Sequence, residues 1–84
     1  VTGITYINRG DGQYGVAAIT NNTTEEHTVW LRLNYYDESG VLIAGVTGWA
    51  KNIPPGESKQ AETMALMRDV TGFARATYEI NSIK

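Results

Sequence analysis

Eighty-four residues suffice for one domain with one core, and a composition of 42% hydrophobic and 19% charged residues is that of a packed chain rather than a disordered one. Seven Lys and Arg against nine Asp and Glu leave a net charge of −2, which removes any global electrostatic reason to seek a nucleic acid or an anionic membrane. The absence of cysteine excludes disulfides, thiolate metal sites and thiol nucleophiles, and no apolar run approaches the ~20 residues of a membrane-spanning helix.

Strand formers dominate, with 31 of 84 residues being Val, Ile, Thr, Tyr, Trp or Phe. Ile4 to Asn8 is predicted as a first strand and Arg9-Gly10-Asp11-Gly12 as the tight connection that follows, Gly10 and Gly12 supplying positive φ. Tyr14 to Asn21 reads as a second strand with Ala17 and Ile19 inward, stopped by the polar turn Asn21-Asn22-Thr23-Thr24-Glu25-Glu26. The clearest period lies in His27 to Asp37, where Val29, Leu31, Leu33 and Tyr35 alternate with Trp30, Arg32, Asn34 and Tyr36. A period of two means a strand. Turning the second set inward would bury Arg32 and Asn34 at several kcal/mol if unpaired, so the Val/Leu/Leu/Tyr set is expected to face the core.

Asp37-Glu38-Ser39-Gly40 is a reversing turn, and Val41 to Val46 is predicted to return as the second arm of a hairpin. Gly45 and Gly48 weaken that arm, so Thr47 to Asn52 is expected to be irregular or to change sheets. Ile53-Pro54-Pro55-Gly56 lacks ladder donors at its prolines and must be a crossover. Ser58 to Leu66 reads as a strand, with a short helix over Ala61 to Arg68 as the competing assignment, and Phe73 to Ser82 as the last strand with Ala74, Ala76, Tyr78 and Ile80 in phase. Six or seven short strands with frequent turn signals predict a single all-β domain over 1–84, a small antiparallel sandwich or barrel.

Three pieces of the chain together resemble a known pattern. Leu33-Asn34-Tyr35-Tyr36-Asp37 before a Ser-Gly turn is similar to the signature segment of FxLYD-type immunoglobulin-like domains of bacterial and archaeal envelope proteins. Ile19-Thr20-Asn21-Asn22-Thr23 resembles that family's strand-ending turn, and Ile53-Pro54-Pro55-Gly56-Glu57-Ser58 its crossover, in the same order over roughly Val16 to Ile80. Leu33 stands where the family usually has Phe, and Tyr35 where it has Leu. The resemblance implies an immunoglobulin-like β-sandwich, a secreted or cell-envelope setting and a non-catalytic module, and it names no ligand.

Residues that carry chemistry are few. His27, the only histidine, is expected to be a solvated turn residue beside Glu25 and Glu26, and no nucleophile elbow, acidic metal loop or cofactor motif is present. The outward row Trp30, Arg32, Asn34 and Tyr36 combines residue types enriched in interface hot spots; its bland reading is cross-strand decoration, with Arg32 lying over either ring. Arg9-Gly10-Asp11 resembles the adhesive tripeptide that integrins recognise; its bland reading is a soluble hairpin tip. The expectation is therefore a non-enzymatic protein-interaction or spacer module, without cofactor or metal, secreted or in the cell envelope, that binds a protein partner through an open sheet face. The alternative is a free-standing small adhesin or inhibitor acting through the Arg9-Gly10-Asp11 loop. Neither nucleic acid nor membrane insertion is expected, and pairing of edge strands leaves a homodimer open.

Overall fold

In the computed structural model, which describes residues 1–84, the chain forms six strands and no helix: β1 Thr2–Arg9, β2 Gly12–Thr20, β3 His27–Tyr36, β4 Leu42–Ile53, β5 Ser58–Ala65 and β6 Arg75–Ile83. All neighbours pair antiparallel in one sheet of order β1-β2-β5-β4-β3-β6. The sheet curls into a half-barrel whose inner face holds the core and whose open side lies between β1 and β6. The all-β, antiparallel expectation is met with six strands, which form one curled sheet where a sandwich would have two packed sheets.

The alternation of β3 is the axis of that core. Val29 is 7% exposed and Leu31, Leu33 and Tyr35 are fully buried, against Ala17 and Ile19 of β2, Val46 and Ile53 of β4, Ala61 of β5 and Val70. Thr47 to Asn52 departs from expectation: it continues β4 without a break to Ile53. The two glycines that made it look weak serve packing. A Cβ on Gly48 would lie 2.7 Å from Thr63 Cγ2 and 3.1 Å from the Glu62 carbonyl, so its bareness lets β5 approach where β4 and β5 are joined, at Gly48–Thr63 and Trp49–Glu62. Only Asn52 is irregular, in the left-handed region at φ 53°, beside the register shift between His27 and Val29. Its N–H donates to Thr28 Oγ1 at 3.0 Å.

The helix that competed over Ala61 to Arg68 does not form. Ala61 and Thr63 are buried while Met64 is 61% exposed, a period of two that ends at Ala65. The last strand begins at Arg75 rather than Phe73, because the loop from Leu66 to Ala74 is anchored to β2 by one side chain. Gln13 Nε2 donates to Asp69 and Thr71, each at 3.0 Å, and Gln13 Oε1 accepts from the Val70 N–H at 2.9 Å, which seats Val70 in the core. Hydrogen bonds from Thr71, and then from Gln13, hold the Asp69 carboxyl below its ordinary pKa.

The turns behave as their chemistry demands. Asp37 Oδ1 accepts from the Ser39 and Val41 amides at 2.9 and 3.0 Å, and Gly40 takes φ 81°. Asn21 goes beyond closing a strand end. Although it is only 6% exposed, every polar atom of its side chain is engaged: Nδ2 donates to the Glu25 and Ile53 carbonyls at 2.7 and 2.8 Å, and Oδ1 accepts from the Thr23 N–H at 2.9 Å and the Thr23 hydroxyl at 2.6 Å. Its backbone also bonds Gly56 and Glu57 of the crossover.

Tyr35 ties β3 to the edge strand β1 across the core. Its ring stands edge-on to Phe73 at 5.1 Å, and its hydroxyl donates to the Thr5 carbonyl of β1 at 2.6 Å. Gly15 makes room for it, since a Cβ there would lie 2.6 Å from the Tyr35 oxygen. Tyr35→Phe is expected to cost about 1–2 kcal/mol, the value of a buried bond whose acceptor is left without a partner. Burial pushes the Tyr35 hydroxyl from 10.0 up to about 12, only partly opposed by the Val16 amide. The folded chain thus keeps a proton that the unfolded chain releases first. This contribution is whole below pH 10.0 and is lost as pH rises toward about 12. Unfolding midpoints measured across that window should fall more steeply for the native chain than for Tyr35→Phe; equal slopes would contradict the assignment.

Candidate functional site

The residues of β3 that alternate with the core set do lie on the outer face, but not as an open row. Asn34 is buried at 7% exposure: its Nδ2 donates to Glu79 Oε2 of β6 at 3.1 Å and its Oδ1 accepts from Arg32 Nε at 3.1 Å. The stacking of Arg32 on a ring that the bland reading of this row allowed is not formed. Arg32 instead lies across Gly45 of β4, where a Cβ would overlap its guanidinium group. Tyr36 is covered by Arg75, whose guanidinium sits 4.7 Å from the ring centroid. Asn34 and Tyr36 thereby have their partners within the chain, Arg32 is bonded through Nε alone, and of the row only Trp30 has an aromatic partner on the outer face.

That partner is Trp49, opposite Trp30 in the β3–β4 register, with ring centroids 5.1 Å apart and planes inclined at 32°. Trp49 is missed by any reading that ends the strand at Val46. The signal was present in Ala44, Val46, Gly48 and Ala50, an in-phase inward set that puts Thr47 and Trp49 on the other face.

The outer face continues across the sheet from Trp49. Glu62 of β5 stands opposite it, and the Glu62 carboxylate is ion-paired with Arg9 at the end of β1. The Arg9 guanidinium also lies 5.4 Å from the centroid of Tyr14, whose hydroxyl donates to Asp11 Oδ2 at 2.7 Å. This hydrogen bond first, and burial second, raise the Tyr14 hydroxyl above its ordinary pKa. Arg9 and Glu62 are each about half exposed, so their pairing sets geometry and contributes only about 0–1 kcal/mol.

The Arg9-Gly10-Asp11 string is exposed, and its charged groups have partners within the chain. Its cation is held by Glu62 and Tyr14, its carboxylate by Tyr14, and of its neighbouring glycines Gly12, at φ 147°, takes the positive angle while Gly10 does not. The two candidates that looked separate in the sequence merge into one strip running from Asp11 through Tyr14, Arg9, Glu62 and Trp49 to Trp30. Beside Trp49, where β4 and β5 diverge beyond their joint, lies a shallow depression of about 480 Å³ lined by Lys51, Lys59, Gln60 and Glu62.

His27 also departs from expectation. It is half-buried at a cleft of about 170 Å³ among Ile19, Val29, Ile53 and Ile80, and its buried Nδ1 has no hydrogen-bond partner. No three His, Asp or Glu side chains converge as metal ligands would. No family model, curated protein or solved structure matches the chain. The functional reading rests on the outer strip.

Proposed function

We propose that this chain is a non-catalytic protein-interaction module, an immunoglobulin-like domain of the FxLYD type in a secreted or cell-envelope protein, and that it binds a protein partner through the Trp30–Trp49 end of the outer strip. The observation that carries the reading is the tilted indole pair on a sheet face, flanked by the Arg9–Glu62 ion pair on one side and Arg32 on the other. Large aromatics rimmed by arginine and carboxylate are the composition of interface anchors, and a rigid sheet presents them at little conformational cost. The family reading is supported by the antiparallel strand order and by the meeting of two of its sequence pieces, the Asn21 turn and the Pro55-Gly56 crossover, through backbone bonds.

Capture of partners by the immobilised chain from a secreted or envelope fraction tests this directly. Trp30→Ser/Trp49→Ser is expected to weaken capture about 30-fold or more, the loss of at least about 2 kcal/mol at a hot spot. Asp11→Ala is expected to leave it unchanged. The reverse pattern would replace this reading with that of a small adhesin or inhibitor acting through the Arg9-Gly10-Asp11 loop.

A further inference from the structure

The two edges of the open sheet are unlike. β1 is broken near its start, where the ladder shifts register between Thr2 and Ile4 and Gly3 adopts φ 66°, a defect that spoils the edge as a template for another strand. β6 has such a shift only toward its far end, between Ile80 and Ser82. It keeps unbroken register with β3 from Arg75–Tyr36 to Ile80–Leu31, contains neither proline nor lysine over 75–83, and has no hydrogen-bonded neighbour on its other side. Two apolar side chains of this regular run, Tyr78 and Ile80, remain 45% and 43% exposed.

The sequence of this edge is complementary to itself. Two β6 strands related by a twofold axis pair antiparallel, and because outward-facing N–H and C=O groups alternate along a strand, the axis must pass through a residue and not between two. With the axis at Thr77, Arg75 faces the second copy's Glu79, and Glu79 faces its Arg75. On the opposite face Ala76 meets Tyr78 and Ala74 meets Ile80, small against large, each twice. Axes at Ala76 or Tyr78 leave both charges without an opposite, and axes at Arg75 or Glu79 set like charges against each other. Within each copy the two charged groups are already held on the outer face, Arg75 over Tyr36 at 4.7 Å and Glu79 by the Asn34 amide at 3.1 Å.

We propose that β6 pairs with β6 of a second copy about a twofold axis at Thr77, joining two six-stranded sheets into one. The inference is independent of the Trp30–Trp49 reading. One strand pair buries less than the roughly 1,200 Å² of a standard stable complex, so the association is weak and depends on concentration.

Sedimentation of the 84-residue chain from about 10 µM to about 1 mM is the first measurement, with the average mass expected to rise toward the dimer. Arg75→Glu and Glu79→Arg should each weaken association more than tenfold. An equimolar mixture of these two variants should restore it, because each then offers the charge the other lacks; circular dichroism shows that each remains folded. The absence of native cysteine allows an independent check. Thr77→Cys should form a disulfide-linked dimer under mild oxidation, since directly opposed residues lie within disulfide reach, while Asn81→Cys should not. A native chain that stays monomeric to about 1 mM, association indifferent to both charge reversals, a mixture that fails to recover it, or equal crosslinking at 77 and 81 would each overturn the proposal.

Discussion

Gly48→Val is expected to lower stability by about 3 kcal/mol, which for a domain of this size is a fall of roughly 10–20 °C in unfolding midpoint. The reason is local. Any Cβ at this position meets Thr63 Cγ2 at 2.7 Å, the Glu62 carbonyl at 3.1 Å and Thr63 Cα at 3.1 Å, and the last two are backbone atoms that no rotamer change can move. Strand β5 must retreat, yet the ladder between β4 and β5 consists only of Gly48–Thr63 and Trp49–Glu62, so a small retreat opens the joint between the two halves of the sheet. Amide exchange in β5 should accelerate along with the loss of stability. Gly45→Ala provides the contrast, because the group in its way is the guanidinium of Arg32, the far end of a flexible side chain. That variant is expected to lose about 1 kcal/mol, the value of the Arg32–Asn34 hydrogen bond. Equal losses at the two glycines would refute the claim that Gly48 sets the closure of the sheet.

Asn21→Ala is expected to cost about 2–4 kcal/mol, since it leaves the buried Ile53 carbonyl without this partner and removes the part-buried bonds to Glu25 and Thr23 at the same time. The Ile53 carbonyl at the end of β4 and the Thr23 amide are bonded by this one side chain, and the Glu25 carbonyl shares it with the Thr23 hydroxyl. Asn21→Asp separates geometry from chemistry. It keeps the size and the acceptor for Thr23, but replaces the two donated hydrogen bonds with an anionic oxygen facing two carbonyls. A loss at neutral pH as large as that of Asn21→Ala is therefore expected, with partial recovery when the carboxyl is protonated. Thermal or denaturant unfolding measures both, and a loss below about 0.5 kcal/mol for either would mean that water replaces the amide, in conflict with the burial of Asn21.

The legibility of the chain followed the range of the interactions. The inward face of β3 was readable because exposing Leu31 or Leu33, or burying Arg32 unpaired, is unfavourable whatever surrounds the strand. The hairpin at Asp37 to Gly40 was readable because a short acidic side chain and a glycine satisfy a turn within four residues. The length of β4 was not. Gly45 and Gly48 have low intrinsic strand preference, and only Arg32 lying over one and β5 approaching the other give a reason for their place in a strand. Misjudging β4 hid Trp49 and so made the outer face look like a row along one strand when it is a strip across five. The burial of Asn34 escaped for a related reason: its partner Glu79 lies 45 residues away.

By itself the amino-acid order determined an all-β chain, the positions of its main turns and which side of β3 is buried, because these depend on a period of two and on backbone angles settled among near neighbours. Only the tertiary structure decided that six strands form one curled sheet, that Trp30 stacks on Trp49, that Arg9 and Asp11 are drawn onto the same face, and that β6 is the regular open edge. Each of these is a choice of partner between segments far apart in the chain. Such choices are made by register and close approach, to which local hydrophobic patterning is indifferent.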